Sequence, residues 1–477
     1  MTPSQAELVV VGAGPGGYAA AFFAADHGRQ VLLVEREPRL GGVCLNRGCI
    51  PSKALLHAAH SITLARESAQ HGITFGKPQI ELAKLRAWKE SILNRLANGV
   101  SQLAQKRQVQ VVRGRGYFEG SRMLRIETPQ GQQFVQFDQA IVATGAKPAM
   151  PKVFDLGNPR VMTSTEALEL EEVPPTLLVV GGGYIGMELG TVYAALGSEV
   201  VVIEALDNIL TGADPDLARP IAARARQNFK EIRVQARVLD MSTKGAQVRV
   251  LSEYGGRQLE ELYDRVLVAV GRVPQADDLG LENTRVTRDD RGFIIVDEQQ
   301  RTEDPAIYAI GDIAGGVLLA HKAAREARVA VEAILGQHDT LPDFVIPAVV
   351  FTDPELAWCG VTEAEARQKG LAVEIAKFPW AASGRALTFD RPDGLTKLVV
   401  DPQTERVRGL GIVGHGAGEL IAEGVVALEM GATAKDLALS VHPHPTLSET
   451  IMECAEAFYG YATHTLARKR PNQVSHE

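Results

Sequence analysis

Apolar residues open the chain as a short block, Leu8-Val-Val-Val11, which stops at Gly12; an alanine-rich stretch follows, and then a second block, Val31-Leu-Leu-Val34, closes on Glu35. Such blocks between turn residues predict strand, glycine turn, helix and second strand. The pattern then repeats. Residues 176–204, from Thr176 through Val180 and Gly181 to Glu204, align with 7–35 without a gap, every position displaced by 169. Each copy is followed by a further apolar strand and turn, Ala140-Ile-Val-Ala-Thr144-Gly145-Ala-Lys-Pro148 in the first and Val266-Leu-Val-Ala-Val-Gly271-Arg-Val-Pro274 in the second. In both, the glycine predicts a tight turn and the proline the end of the strand.

A third apolar run, Ala306-Ile-Tyr-Ala-Ile310, ends at Gly311 and Asp312, and Leu318-Leu-Ala320-His321-Lys322 opens another helix. Asp312 at a strand end suits either a turn cap or a sugar hydroxyl. From about Val345 the pattern changes to alternating strands, as in Lys397-Leu-Val-Val-Asp401 and Arg408-Gly-Leu-Gly-Ile-Val413, with short helices and no third glycine turn. The expected organisation is therefore α/β, with units at 1–150, 151–275 and 276–345, the last completing the first, and a C-terminal α+β domain at 346–477.

The glycines say what the repeated unit binds. Gly12 permits the tight turn, Gly14 lets the backbone approach a pyrophosphate and Gly17 lets the helix pack on its strand, with the helix N-terminus facing the phosphates. Glu35 closes the second strand, where a carboxylate accepts hydrogen bonds from a ribose diol. Gly181, Gly183, Gly186 and Glu204 repeat the set, so two dinucleotide sites are expected. Glu204 favours NAD, because its charge repels the 2′-phosphate of NADP and residues 205–210 offer no Arg or Lys to receive it.

Composition changes the picture only by exclusion. A net charge of −8 over 477 residues argues against a nucleic-acid partner. The one basic run, Arg468-Lys469-Arg470, reads as a solvated tail. No apolar run reaches the roughly 18 residues a membrane span needs, and no leader pattern precedes the first strand, so no membrane partner and a cytoplasmic location are expected.

Four cysteines are too sparse for a secreted disulfide framework. Two of them, Cys44 and Cys49, lie five positions apart in Gly41-Gly-Val-Cys44-Leu-Asn-Arg-Gly-Cys49-Ile-Pro51-Ser-Lys53. By itself this pair admits a redox disulfide, a zinc half-site or two inert thiols. Its setting favours redox: it follows Glu35 directly, at the carboxyl end of the first sheet, where such folds bind their ligand. Hydride from a nicotinamide reaches a disulfide through a carrier, which a flavin supplies, so FAD is expected in the first site and NAD in the second. Cys359 and Cys454 read as buried structural thiols, and no metal is expected. Near the end, His444 is flanked by prolines and Glu449 lies close enough to orient its imidazole, which makes His444 a candidate proton acceptor. His442 reads as structural.

On the Gly41 to Lys53 segment, both glycine turns, Ile310-Gly311-Asp312, Phe378-Pro-Trp-Ala-Ala-Ser-Gly-Arg385 and His444-Pro-Thr-Leu-Ser-Glu449, the chain resembles the flavin-dependent pyridine nucleotide-disulfide oxidoreductases. Within them it is most similar to the dihydrolipoamide dehydrogenase branch, over essentially the whole chain. The resemblance implies two Rossmann-like dinucleotide-binding domains, for FAD and for NAD, plus a C-terminal dimerisation domain. It implies that Cys44 exchanges with substrate and Cys49 faces the flavin, and that Lys53 lies beside the flavin with Glu188 as its partner. Glu35 and Asp312 would hold FAD sugar groups, with Gly116 and Ala320 touching FAD through backbone. Gly181, Gly183, Gly186, Glu204, Val238 and Gly271 would line the NAD site. Relatives are homodimers in which residues matching His444 and Glu449 act on the neighbouring subunit's disulfide.

The implied activity is reoxidation of dihydrolipoamide on the lipoyl domains of 2-oxo acid dehydrogenase or glycine-cleavage complexes. Rivals are a reductase of another disulfide and a docking or redox-sensing flavoprotein; the cysteine pair together with His444 and Glu449 weighs against sensing. The C-terminal cysteine pair of mercuric reductases is absent, as are the basic residues that glutathione reductases prefer after the second glycine turn. Arg47 is a departure, since many relatives carry an apolar residue between the cysteines.

Overall fold

A computed structural model of the chain describes residues 3–337 and 344–466, so the run Arg468 to Arg470 lies outside the described residues. The first repeat folds as β1 (Ser4–Val11), α1 (Pro15–Asp26) and β2 (Val31–Glu35). The cysteine segment forms two helices: α2 (Gly42–Arg47) carries Cys44, and α3 (Cys49–Glu67) begins at Cys49 after a break at Gly48. Then come α4 (Leu82–Lys106), β3 (Gln110–Arg113), β4 (Arg115–Gly120), β5 (Met123–Thr128) and β6 (Gly131–Val142). The sheet order is β3-β2-β1-β6-β5-β4, parallel as far as β6 and antiparallel beyond it.

β7 (Ala146–Pro148), β8 (Val161–Met162) and α5 (Ser164–Glu169) lead to the second repeat: β9 (Thr176–Val180), α6 (Tyr184–Leu196) and β10 (Glu199–Ile203). After α7 (Pro215–Asn228) and β11 (Glu231–Arg233) an antiparallel ribbon, β12 (Arg237–Lys244), β13 (Gln247–Tyr254) and β14 (Arg257–Tyr263), returns the chain to β15 (Arg265–Val268). The second sheet is parallel throughout, in the order β11-β10-β9-β15-β8.

Pro148 and Pro274 do more than stop strands. β7 and β16 (Arg272–Pro274) pair antiparallel, Arg272 opposite Pro148 and Pro274 opposite Ala146, so the two repeats are tied by their matching turns. A two-stranded ribbon leaves one edge of each strand unpaired, which is where a residue without an N–H fits. β17 (Ile307–Ala309) then joins the first sheet beside β6, and α8 (Ala320–Ile334) packs on α1 through small side chains, Ala327 and Ala330 sharing a core with Ala20, Ala21 and Ala24.

The C-terminal part alternates β18 (Ala348–Val350), β19 (Glu355–Gly360), α9 (Glu363–Gln368), β20 (Glu374–Pro379), α10 (Gly384–Thr388), β21 (Leu395–Val400) and β22 (Val407–Gly414). Its antiparallel sheet, β18-β19-β22-β21-β20, is packed by α11 (Ala417–Glu429), α12 (Ala434–Leu439) and α13 (Glu449–Tyr459). Cys359 and Cys454 are buried in that core.

A buried ionic cluster joins this part to the second repeat. Lys397 of β21, its side chain 1% exposed, lies 2.7 Å from Asp214, 2.9 Å from Asp216 and 3.0 Å from Glu363. Asp214 also accepts the backbone N–H groups of Glu363 and Ala364, capping the start of α9. Removing one member of a buried ion pair typically costs about 3–5 kcal/mol, because the remaining charges stay desolvated. Lys397→Met is therefore expected to lower the urea midpoint of unfolding markedly, and a midpoint within error of the parent would contradict this account.

Candidate active site

The turn from β1 to α1 is built for close approach. Gly12 has φ +101°, and a Cβ there would come 2.5 Å from the Ala143 carbonyl oxygen; a Cβ on Gly17 would come 1.8 Å from the Gly12 oxygen. Gly14 is different, since a Cβ there would meet nothing nearer than Gly42 Cα at 4.0 Å, and Gly14 lines an open cleft. The cradle fits a diphosphate on the backbone at the start of α1. Glu35 accepts the Ala13 N–H at 2.7 Å and the Glu37 N–H at 2.9 Å, so its buried carboxylate braces the turn.

The second repeat reproduces each contact. Gly181 has φ +107°, a Cβ on Gly186 would fall 2.0 Å from the Gly181 oxygen, and Glu204 accepts N–H groups of Gly182 at 2.7 Å and Leu206 at 2.8 Å. Gly183 has no atom within 4 Å of a built Cβ, as the open face of a cradle requires. Val238 lies on β12, two residues after Ala236, whose N–H donates to the Glu204 carbonyl, and Gly271 follows β15, the neighbour of β9. These residues line a different region from the first cleft.

That cleft brings together Gly12, Gly14, Glu35, Cys44, Cys49, Lys53, Gly116, Glu188, Asp312 and Ala320. Gly17 sits beneath it, packed on Gly12. Cys44 and Cys49 are present as free thiols, Cys49 more open to the cleft than Cys44. Hydrogen bonding from Cys44 is the main reason that the Cys49 thiol is lowered to about 7; burial opposes this and the Lys53 ammonium assists it. Cys44 is pushed up correspondingly, by the same hydrogen bond and by burial. Cys49 also begins a 19-residue helix, whose N-terminal dipole favours a thiolate.

Lys53 is held in turn. Its Nζ lies 2.8 Å from Glu188 Oε2 and 4.4 Å from the Phe351 ring centroid, while Glu188 Oε1 accepts the Phe351 N–H at 3.0 Å. Residues from α3, α6 and the segment after β18 thus meet beside Cys49. Asp312 lies 3.7 Å from Arg272, and burial nonetheless raises its carboxyl above the ordinary range. Below it, Glu326 accepts the Gly311 N–H at 2.7 Å and pairs with Lys322 at 2.6 Å. The sequence patterns pointed to none of Arg272, Lys322, Glu326 or Phe351 as site residues. Their partners are distant in the chain or, like Glu326, resemble any charged helix residue.

His444 and Glu449 do not line this cleft. They form their own unit: His444 Nδ1 lies 2.8 Å from Glu449 Oε1, and Glu449 Oε2 accepts the Thr446 N–H at 2.7 Å. Burial pushes the Glu449 carboxyl up, but Thr446 and His444 together outweigh it and hold it below its ordinary value. The His444 side chain, five residues before α13, is 76% exposed. His442 is anchored, at 2.8 Å to both Glu423 and the Ser440 carbonyl. Among the described residues no group of His, Cys, Asp and Glu is placed to hold a metal ion, and no helix is long and apolar enough to cross a membrane.

Residues 6–327 match the family described as pyridine nucleotide-disulphide oxidoreductase, and residues 346–455 match its dimerisation domain. The chain is similar to dihydrolipoyl dehydrogenase of Vibrio parahaemolyticus, 47% identical over 460 residues that cover 96% of this chain and 97% of that one. It is 44% identical to dihydrolipoyl dehydrogenase of Staphylococcus aureus, over 97% of this chain and 99% of the other. Among solved structures it is similar to LpdA of Mycobacterium tuberculosis, with TM-score 0.87 at 28% identity, covering 95% of this chain and 99% of that one. It is also similar to the Cu(II) complex of the HOCl-induced flavoprotein disulfide reductase RclA of Escherichia coli, with TM-score 0.85 at 29% identity, covering 96% and 99%. On the family match and these identities, the chain belongs to the pyridine nucleotide-disulphide oxidoreductases.

Proposed function

We propose that the chain is an FAD-dependent dihydrolipoyl dehydrogenase that reoxidises protein-bound dihydrolipoamide with NAD. The observation that carries this reading is the Cys44 and Cys49 pair at the start of α3, set in the cleft of the first glycine turn, with Cys49 disposed to be the thiolate. The relatives of that name, matched over nearly their full length, support it.

The residues present suit the cofactors. Gly12, Gly14 and Gly17 with the start of α1 would receive the FAD diphosphate, Glu35 and Asp312 its sugar groups, and Gly116, Ala320 and Lys53 the rest of the cleft. Gly181, Gly183, Gly186, Glu204, Val238 and Gly271 would hold NAD, with Glu188 at the junction of the two sites. The NAD preference rests on Glu204 and on residues 205–210, which offer no Arg or Lys. Arg233, whose carbonyl accepts the Glu204 N–H, commits its guanidinium to Glu231 and Glu261.

In turnover His444, its Nδ1 facing Glu449, takes a proton from dihydrolipoamide at Nε2. The substrate thiolate attacks the Cys44 sulfur of the oxidised pair, forming a mixed disulfide as the Cys44 to Cys49 bond breaks, and Cys49 leaves as a thiolate stabilised by Lys53 and the start of α3. The second substrate sulfur then displaces Cys44, closing lipoamide. Two electrons and two protons have moved to the protein, whose cysteine pair is left reduced. Bound FAD supplies the two-electron link from this dithiol to NAD, restoring the disulfide and producing NADH and a proton. Because His444 does not line its own chain's cleft, the base would come from a second copy of the chain. The dimerisation-domain match supports that homodimer. Lipoyl domains of 2-oxo acid dehydrogenase or glycine-cleavage complexes would be the substrate carriers.

Anaerobic mixing of the FAD-loaded protein with dihydrolipoamide and either NAD or NADP tests this reading. Rapid NADH formation with little NADPH is the expected result. No reaction from protein with bound FAD and intact cysteines would leave the fold standing and refute the substrate.

A further inference from the structure

The six-residue α2, which carries Cys44, needs support from outside itself. A helix this short is unstable alone, and Gly41, its N-cap at φ +111°, has no side chain to cap it. The Gly41 N–H donates to the Ala13 carbonyl at 2.8 Å, and a Cβ on Gly42 would fall 2.5 Å from Gly14 Cα, so backbone lies directly on backbone. From within the helix, Asn46 Nδ2 donates to the Leu40 and Gly42 carbonyls, both at 3.1 Å. Both partners are acceptors, so only the amide NH2 group satisfies them. Asn46 Oδ1 is buried and accepts no hydrogen bond among the described residues. Burying an acceptor without a donor is unfavourable, and the two Nδ2 bonds offset that cost.

The repeat separates what each glycine turn needs from what the cysteine pair adds. Displaced by 169, Gly41 becomes Leu210, whose N–H donates at 2.9 Å to Gly182, the counterpart of Ala13, and whose φ is +55°. The docking bond is thus common to both units. Ala213, Pro215 and Ala218 stand where the first unit has Cys44, Asn46 and Cys49. Pro215 brings no side-chain donor and begins α7. The amide grip belongs to the copy that carries the sulfurs.

We propose that Asn46 is a positioning residue that fastens α2 to the first glycine turn, so that one pair of hydrogen bonds sets both the seat of the FAD diphosphate and the approach of Cys44 to Cys49. Asn46 lies between the two cysteines, and the carbonyls it grips flank Gly41, the residue docked on Ala13. Releasing that grip lets Gly42 move from Gly14 and Cys44 from Cys49 together. The inference rests on the FAD and redox-pair readings of the cleft, but not on dihydrolipoamide as substrate.

Two equilibria test it. Apoprotein is titrated with FAD and followed by flavin fluorescence. FAD-loaded protein is equilibrated with reduced and oxidised dithiothreitol, and its thiols are counted by alkylation after denaturation. In that exchange Cys44 and Cys49 give two electrons and two protons to the cyclic disulfide, which opens to a dithiol, so the ratio reads how well the two sulfurs are held together. Asn46→Leu, similar in size but without donors, is expected to weaken FAD by about 10-fold and to shift the exchange about 10-fold toward the protein dithiol, the scale of one or two neutral hydrogen bonds. Asn46→Ser, whose hydroxyl can donate to the Gly42 carbonyl four residues back, should lose less in both. A packing role would reverse that order, since leucine fills the space and serine leaves it empty, and the reversal would overturn the proposal. A loss in one equilibrium without the other would also overturn it, as would no change in either. NADH binding to the second unit should stay at the parent level; if it falls in Asn46→Leu, that variant is misfolded and Asn46→Ser decides by the same two equilibria. If the parent bound no FAD or formed no Cys44 to Cys49 disulfide, those readings themselves would fall, whereas inactivity toward dihydrolipoamide alone would leave this proposal standing.

Discussion

Cys44→Ser abolishes dihydrolipoamide oxidation while FAD stays bound and NADH still reduces an artificial dye. The expectation follows from the division of labour at the start of α3: the sulfur that substrate must attack is lost, whereas the glycine cradle and the second nucleotide unit are untouched. Serine keeps a hydroxyl in place of the thiol that hydrogen-bonds the Cys49 sulfur, and Lys53 and the helix N-terminus remain. Cys49 in this variant should therefore still be more acidic than an ordinary thiol. Since Cys359 and Cys454 are buried, alkylation by iodoacetamide reports Cys49 alone. Its rate should rise with pH through an inflection below the 9 of an ordinary thiol. The sign follows from the thiolate being the reactive form: a lowered value makes the sulfur reactive at lower pH. An inflection at 9 or above would mean that the serine hydroxyl, Lys53 and α3 together do not outweigh burial of the thiolate, and loss of FAD would recast Cys44 as structural.

His444→Ala should cost on the order of 10² to 10⁴ in dihydrolipoamide turnover, the range for removal of a general base, with dye reduction by NADH preserved. Glu449→Gln should cost less, since it leaves the imidazole and weakens only its orientation. The exposure of His444 outside its own cleft permits a sharper experiment. Chains carrying Cys44→Ser and chains carrying His444→Ala are each expected to be inactive alone, but a heterodimer of the two contains one site with both an intact cysteine pair and an intact base. Recovered activity on co-expression would place the histidine in trans. Full activity of His444→Ala by itself would refute its role, and no recovery in a verified heterodimer would confine the histidine to its own chain.

Features imposed by sterics were the most legible from sequence. Gly12 and Gly181 adopt matching positive φ values, and Gly17 and Gly186 carry hydrogens where a methyl would collide with backbone, so the requirement is written directly as residue type. The cysteine pair and the His444 to Glu449 spacing were readable for a related reason: their partners are local. Contacts made across the chain left no such mark. Glu188 is one buried carboxylate within an apolar helix, and only resemblance to a family pointed to Lys53 as its partner. Phe351 enters through its backbone N–H, which any residue but proline would offer. Arg272 and Lys397 look like ordinary strand residues until the fold brings Asp312 and Asp214 to them. Pro148 and Pro274 misled in a specific way, because a residue that ends one ladder can take part in another whose free edge needs no donor.

The junction of Lys53, Glu188 and Phe351 ties sulfur chemistry to the order of assembly. Lys53 comes from the first nucleotide unit, Glu188 from the second and Phe351 from the C-terminal sheet, so the ammonium has no fixed seat until all three have docked. On a ribosome, Cys44 and Cys49 emerge more than 300 residues before Phe351. A nascent chain thus carries the two thiols and Lys53 together, but not yet the partners that fix the ammonium beside Cys49, so the full stabilisation of the thiolate arrives with the finished fold.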